Sequence, residues 1–194
     1  MAFQGNALSI VNLPGTFLGA RNLSVTKEVD FEDGGFAIGS AVDGWFYQIW
    51  SARISTDKTQ ILLSAPNTPE FVALSGLVNC TEVSFTFDQN MRYQIAYVEN
   101  GSAKFYWYDS TIPGYTTTIY GSTYKTPRVA LDDKRQLETI NNDIILAYTR
   151  SNNLYMRRER DRYTIEYLLK IGVPAELEKI GMNTQLRFQF KFVS

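Results

Sequence analysis

Histidine is absent from the 194 residues, and cysteine occurs once, at Cys80. The first absence removes Ser-His-Asp triads, Cys-His pairs, His-ligated metal sites and the ordinary general base of neutral pH. The second removes an internal disulfide and a cysteine-built zinc site. One cysteine is compatible with a reducing compartment without establishing one. Excess charge is lacking too: 19 Lys and Arg face 20 Asp and Glu, for a net charge of −1. No global basic field therefore draws nucleic acid or anionic lipid. No run of about eighteen apolar residues is present, so no membrane span is expected. There is no Gly-rich phosphate loop, no D-x-D-x-D-G calcium loop and no Ser or Lys nucleophile motif. The first twenty residues, "MAFQGNALSIVNLPGTFLGA", carry no charge before Arg21 and are broken by Gly5, Asn6, Asn12 and Pro14. That pattern fits neither a signal peptide nor a span. It reads as an edge strand or poorly ordered end, or as an arm that orders on a neighbouring subunit, and both stay open. Without a secretory signal, the sequons at Asn22, Asn79 and Asn100 read as chance matches.

What is present is aromatic and alternating. Aromatic residues make up 14% of the chain, with 12 Tyr, 12 Phe and 3 Trp, against 20% charged and 44% hydrophobic residues. Aromatics favour pleated, half-buried surfaces. In "QLRFQFKF", Leu186, Phe188, Phe190 and Phe192 point one way, while Gln185, Arg187, Gln189 and Lys191 point the other. This is the period of a half-buried strand. "EVSFTF", "QIAYV", "KFYWYD", "TTTIY", "DIILAY" and "YTIEYLL" read as further short strands. Turn chemistry separates them at Asp43-Gly44, Asn100-Gly101, Pro113-Gly114 and Asn152-Asn153. "VPAELEKIG", with Pro174 in its first turn and Gly181 after it, predicts one short helix near the C-terminus.

An internal repeat organises these pieces. "IAYVENGSAKFYWYD" and "ILAYTRSNNLYMRRERD" carry Ala-Tyr at Ala96 and Ala147, 51 residues apart. Each is followed by a turn, an aromatic strand, charge and a further strand. The rhythm predicts an all-β fold of antiparallel, blade-like units of about four strands, packed as a propeller or as a β-sandwich. The expected organisation is an arm or edge segment over 1–35 and one β domain over 36–194, with repeats near 82–122 and 128–170.

The densest charge lies in "LYMRRERDRY". Arg157, Arg158, Glu159, Arg160, Asp161 and Arg162 form a block, and with Arg150 five arginines face two acids, a local excess of three. One reading is a charged hairpin tip with mutual ion pairs, which stabilise little. A second is protein–protein docking, since the guanidinium fork suits interfaces. A third is phosphate or nucleic-acid contact flanked by Tyr155 and Tyr163, which Glu159 and Asp161 oppose. Asp132 and Asp133 are adjacent, so in a strand they face opposite ways and make a poor pair for glycoside chemistry. Asp88, Asp109 and Asp161 close strands, where Asp favours turns. Trp45, Trp50 and Trp107 are either core residues or a platform on which sugar rings stack. No catalytic residue, metal ligand or cofactor site is assigned.

The segments "VSFTFDQNMRYQIAYVENGSAKFYWYD", "DIILAYTRSNNLYMRRERDRYTIEYLL" and "IGMNTQLRFQFKF" resemble structural proteins of tailed-bacteriophage virions, with "FDQNMR" and "LYMRRERDRY" the most specific pieces. The resemblance spans roughly Trp45 to Phe192. It implies a non-enzymatic, β-rich subunit of the tail or host-attachment apparatus, made in the host cytoplasm and located in the virion. Its expected partners are further copies of itself and other virion proteins, not nucleic acid. The alternatives are a module that binds host surface glycans through the tryptophans, and a glycan hydrolase acting through Asp and Glu alone. On the docking reading, charge reversal at Arg157 and Arg158 leaves the fold intact and blocks assembly.

Overall fold

A computed structural model describes residues 25–30, 34–40, 47–65, 68–88, 90, 92–132, 143–182 and 188–193. The first sheet holds β1 (Val25–Asp30), β2 (Gly34–Ser40), β3 (Tyr47–Ile54), β4 (Gln60–Ala65) and β5 (Thr68–Ser75). The second holds β6 (Cys80–Phe87), β7 (Tyr93–Glu99), β8 (Ser102–Asp109) and β9 (Gly114–Gly121). The third holds β10 (Lys125–Asp132), β11 (Asp143–Arg150), β12 (Asn153–Arg158) and β13 (Tyr167–Ile171). In all three, strands follow sequence order and neighbours are antiparallel. A fourth sheet has, among the described residues, β14 (Leu177–Met182) and β15 (Phe188–Phe192). The fold is all-β and antiparallel, and the described residues form no closed propeller.

Short hairpins follow from residues that accept positive φ. Asn100 and Gly101, at φ +48° and +72°, make the two-residue turn between β7 and β8. The β11–β12 turn is Ser151-Asn152, at φ +50° and +58°, one residue earlier than Asn152-Asn153. Asn153 already pairs with Arg150 in the ladder.

Three cores alternate with the sheets. Ile61, Leu63, Val83, Phe85, Ile95 and Tyr97 fill the space between the first and second sheets. Phe105, Trp107, Val129, Ile144, Leu146 and Tyr148 fill the space between the second and third. Ala130, Ala147, Leu177 and Ile180 lie between the third and fourth, with Phe188, Phe190 and Phe192 against them. Successive side chains of a strand point to opposite faces, so an inner sheet feeds two cores. Hence β7 is buried from Gln94 to Glu99 and β11 from Asp143 to Thr149. The Ala-Tyr repeat has a physical meaning here. Tyr97 and Tyr148 each pack toward the preceding sheet, and Ala96 and Ala147 toward the following one.

Lateral ties join early strands of the sheets. β6 lies against β2 and β10, and β14 lies against β10 and β1. The Ser84 hydroxyl on β6 accepts from the Val129 N–H of β10 at 3.0 Å. β1, within the segment expected to be an arm or edge, is the edge strand of its sheet; residues 1–24 lie outside the described residues.

The sequence reading needs two corrections. "VPAELEKIG" is not a helix. Leu177–Met182 is strand β14, paired with β15 by Ile180 opposite Phe190 and Gly181 opposite Gln189. Two helical turns are marginal alone, and a ladder that buries Leu177 and Ile180 against the third sheet prevails. The stretch "YTIEYLL" becomes a strand only from Tyr167, because Arg162 and Tyr163 take positive φ. The one helical piece among the described residues is a 3-10 turn at Glu159–Asp161, so none is long and apolar enough to cross a membrane.

Candidate functional site

The charged block sits on β12, the 3-10 turn and the return to β13. Its backbone is closed by the Arg162 N–H to the Glu159 carbonyl at 2.7 Å and the Tyr163 N–H to the Arg158 carbonyl at 2.9 Å. The arginines do not pair with the acids inside the block. Arg157 Nε donates to the Tyr148 hydroxyl at 2.8 Å, its Nη1 to the Tyr163 and Thr164 carbonyls at 2.8 and 3.1 Å, and its Nη2 to Glu166 at 3.1 Å. Arg150 donates to the other Glu166 oxygen at 2.6 Å and to the Tyr124 hydroxyl at 2.7 Å. Arg160 holds Asp143 through Nε and backbone N–H. Arg162 crosses to Asp109 on the second sheet at 2.5 Å. Arg158 lies over the Tyr167 ring, 4.9 Å from its centroid, with Nε buried and without a hydrogen-bond partner. Asp161 accepts from the Tyr167 hydroxyl at 2.8 Å.

These contacts tie the block into the chain. The Arg157 side chain is 14% exposed, and reversing its charge would set a carboxylate against Glu166 and two carbonyls. The expectation that Arg157 can be reversed without cost to the fold therefore does not hold.

Glu159 is the unusual acid. Gln94 on β7 donates to it at 3.0 Å, and the Tyr163 hydroxyl donates to the same Gln94 side chain at 2.6 Å. Gln94 and Tyr163 are buried, with Tyr163 edge-on to Phe105 and Trp107. Burial, helped by the carboxylates of Asp88 and Asp143, pushes the Glu159 carboxyl up to about 7, while the hydrogen bond from Gln94 and the charge of Arg92 oppose the shift. Asp88 and Asp109 act as turn residues. Asp88 accepts from the N–H groups of Asn90 and Arg92, and Asp109 from that of Thr111.

Tyr148 and Glu166, 2.6 Å apart, have the makeup of an activated phenol. The surroundings are wrong for one. Tyr148 is 1% exposed, and burial plus the bond to Glu166 raise its pKa far above the ordinary phenol. Among the described residues, no group of three or more His, Cys, Asp or Glu is placed to hold a metal ion. Asp132 ends β10 opposite Asp143, and both are buried; Asp133 lies outside the described residues.

Trp50 and Trp107 do not meet. Trp50 is buried in the first core and Trp107 in the second, where its indole N–H donates to Thr118 at 3.0 Å. Trp45 lies outside the described residues. The half-buried aromatic surface is instead a row of tyrosines. Tyr93, Tyr106 and Tyr115 stack across β7, β8 and β9 with centroids 4.8 to 6.3 Å apart. Tyr108 meets Tyr115 edge-on under Arg92. Residue type alone does not reveal this row, because it depends on the register that sets Tyr108 opposite Tyr115.

Apolar exposure concentrates beside the arginine turn. Ile165, Leu168, Leu169 and Ile171 are 49%, 50%, 38% and 72% exposed, and β13 is the edge of its sheet. The edge strand β5, by contrast, carries Pro69 and a Glu70 paired with Arg53, devices that blunt an edge. Comparisons with protein-family models, with curated proteins and with solved structures find no match for this chain.

Proposed function

We propose that the chain is a non-enzymatic structural subunit of a tailed-phage virion, in the tail or host-attachment apparatus, that assembles with itself and with neighbouring virion proteins. The likeness of its β6–β8 and β11–β13 segments to such proteins motivates the reading. The observation that carries it is the β13 edge. Four exposed aliphatic residues beside a strand edge that no described residue pairs with are an aggregation liability unless a neighbour covers them. The arginine turn is then the rigid support of this edge. Its own charges are engaged within the chain, so the contact with the neighbouring subunit is made by β13.

Leu168→Asp with Ile171→Asp tests the reading. Both side chains are half exposed or more, so stability should change by only about 0.5 kcal/mol per site. The double variant is expected to melt like the parent yet fail to enter phage particles. Normal incorporation would sink the proposal. A second reading, a glycan-binding module, draws on the tyrosine row rather than the tryptophans. Binding on a glycan array that disappears with Tyr115→Ala would favour it.

A further inference from the structure

The fourth sheet stops short. It has two strands where the second and third have four. Among the described residues, β15 has no neighbour beyond β14 and nothing pairs with its outer edge. Its alternation is regular: Phe188, Phe190 and Phe192 are half buried against the third core, and Gln189 and Lys191 face solvent.

The five residues Phe-Gln-Phe-Lys-Phe place their ring positions identically in either direction. An antiparallel partner related by a two-fold axis through Phe190 would set Phe188 opposite Phe192 of the partner and Phe190 opposite its equivalent. All three rings of each strand would then share one face. On the other face, Gln189 would stand opposite Lys191 of the partner, so no two lysines meet head-on. Lys191 is already held by Glu178 of its own β14 at 2.6 Å, which leaves no uncompensated charge at the seam. The edges of β13 and β5 lack this symmetry. β13 carries a bulge in its register with β12, and β5 carries Pro69 and Glu70.

We infer that β15 is a self-association edge: two copies of the chain pair β15 to β15 about a two-fold axis, making one continuous four-stranded sheet β14-β15-β15-β14. Cross-strand rings and main-chain hydrogen bonds supply the attraction. A two-fold contact of this kind closes on itself and does not propagate. The seam is short, so the dimer is concentration-dependent and not obligate. The inference deepens the assembly reading by naming one edge and its partner, and it uses residues separate from β13.

Gln189 offers a probe that does not touch the core, because it is exposed. Gln189→Glu would set a carboxylate opposite Lys191 of the partner, twice per dimer. Gln189→Lys would set lysine opposite lysine, also twice. Light scattering across a concentration series of the full chain should show a monomer–dimer equilibrium. The dissociation constant should fall for Gln189→Glu and rise for Gln189→Lys, the two variants differing by roughly tenfold. A monomer at every concentration would overturn the inference, as would a dimer indifferent to residue 189. So would amides of β15 protected from exchange in a monomer, which would place a segment of the same chain on the edge. Loss of the dimer with normal entry into particles would count against the virion role of β13 only if the Leu168 and Ile171 variant also entered normally, so the two ideas fail separately.

Discussion

Arg128→Ala is expected to destabilise the chain by about 4 kcal/mol, seen as a lower urea midpoint with unchanged slope. Arg128 is 2% exposed and sits where three sheets meet. From β10 its Nη1 reaches the Glu82 carboxylate on β6 at 3.0 Å, and its Nε reaches the Glu178 carbonyl on β14, also at 3.0 Å. Nη1 also donates to the neighbouring Pro127 carbonyl. Truncation withdraws these donors from their acceptors and leaves a gap the size of a long side chain. Glu82 can turn to water, since its side chain is 29% exposed, so the larger part of the loss comes from the Glu178 carbonyl and the gap. Arg128→Lys should recover little, because an ammonium on a flexible stem cannot serve the divergent directions of a planar fork. Arg128→Met should recover the packing and fall between alanine and the parent. A loss below about 1 kcal/mol for alanine would mean that the sheets hold together without this tie.

Arg128 shows why part of the molecule was legible in the sequence and part was not. Strands with one wetter face announced themselves: β8 alternates half-buried and buried residues throughout, and β15 alternates half-buried and exposed residues. β7 and β11 are buried on both faces, so alternation vanishes, and only the Ala-Tyr repeat marked them as equivalent. β14 was misread because Leu177 and Ile180, three apart, fit a helical face as well as a bulged strand, and only pairing with Phe190 decides between them. The arginine block was legible as a feature but not as a contact map. Sheet stacking brings Asp109, 53 residues from Arg162 along the chain, into reach, whereas Asp143 and Glu166 meet Arg160 and Arg150 through the strand pairing and turn of the third sheet itself. Trp107 was equally ambiguous from residue type, since a tryptophan on an alternating strand faces either core or solvent until the stacking order is known. The stretch from Asp132 to Asp143 holds Asp133 and the rest of the β10–β11 connection, and its middle lies outside the described residues.

Stability should fall as pH rises from about 5 to 8, and Glu159→Gln should abolish the fall. In the unfolded chain the Glu159 carboxyl titrates at its ordinary value, near 4.5, and in the fold at about 7. Below both values each state holds the proton and the stabilisation is complete. Between them the unfolded chain releases the proton while the fold retains it, so the unfolding free energy declines with pH. Above the higher value the loss levels off at about 3 kcal/mol. The acid is held from one side by Gln94 and crowded by Asp88 and Asp143, which already engage Arg92 and Arg160. A neutral carboxyl suits that place, and a carboxylate does not. Among the described residues the pH window is clean. The carboxyls whose values are lowered, Asp57, Glu70, Glu99, Asp109 and Glu178, gain their stabilisation at lower pH. No histidine exists to titrate between, and burial moves the Cys80 thiol up to about 11. Glutamine keeps the oxygen that accepts from Gln94 and carries no charge, so the variant should match the parent near pH 5 and exceed it at pH 8. Urea midpoints of the two proteins across that range decide the matter: parallel curves would show that Glu159 does not carry the proton. With no histidine in the chain, the half-buried Glu159 is the described group whose shifted titration falls in this window.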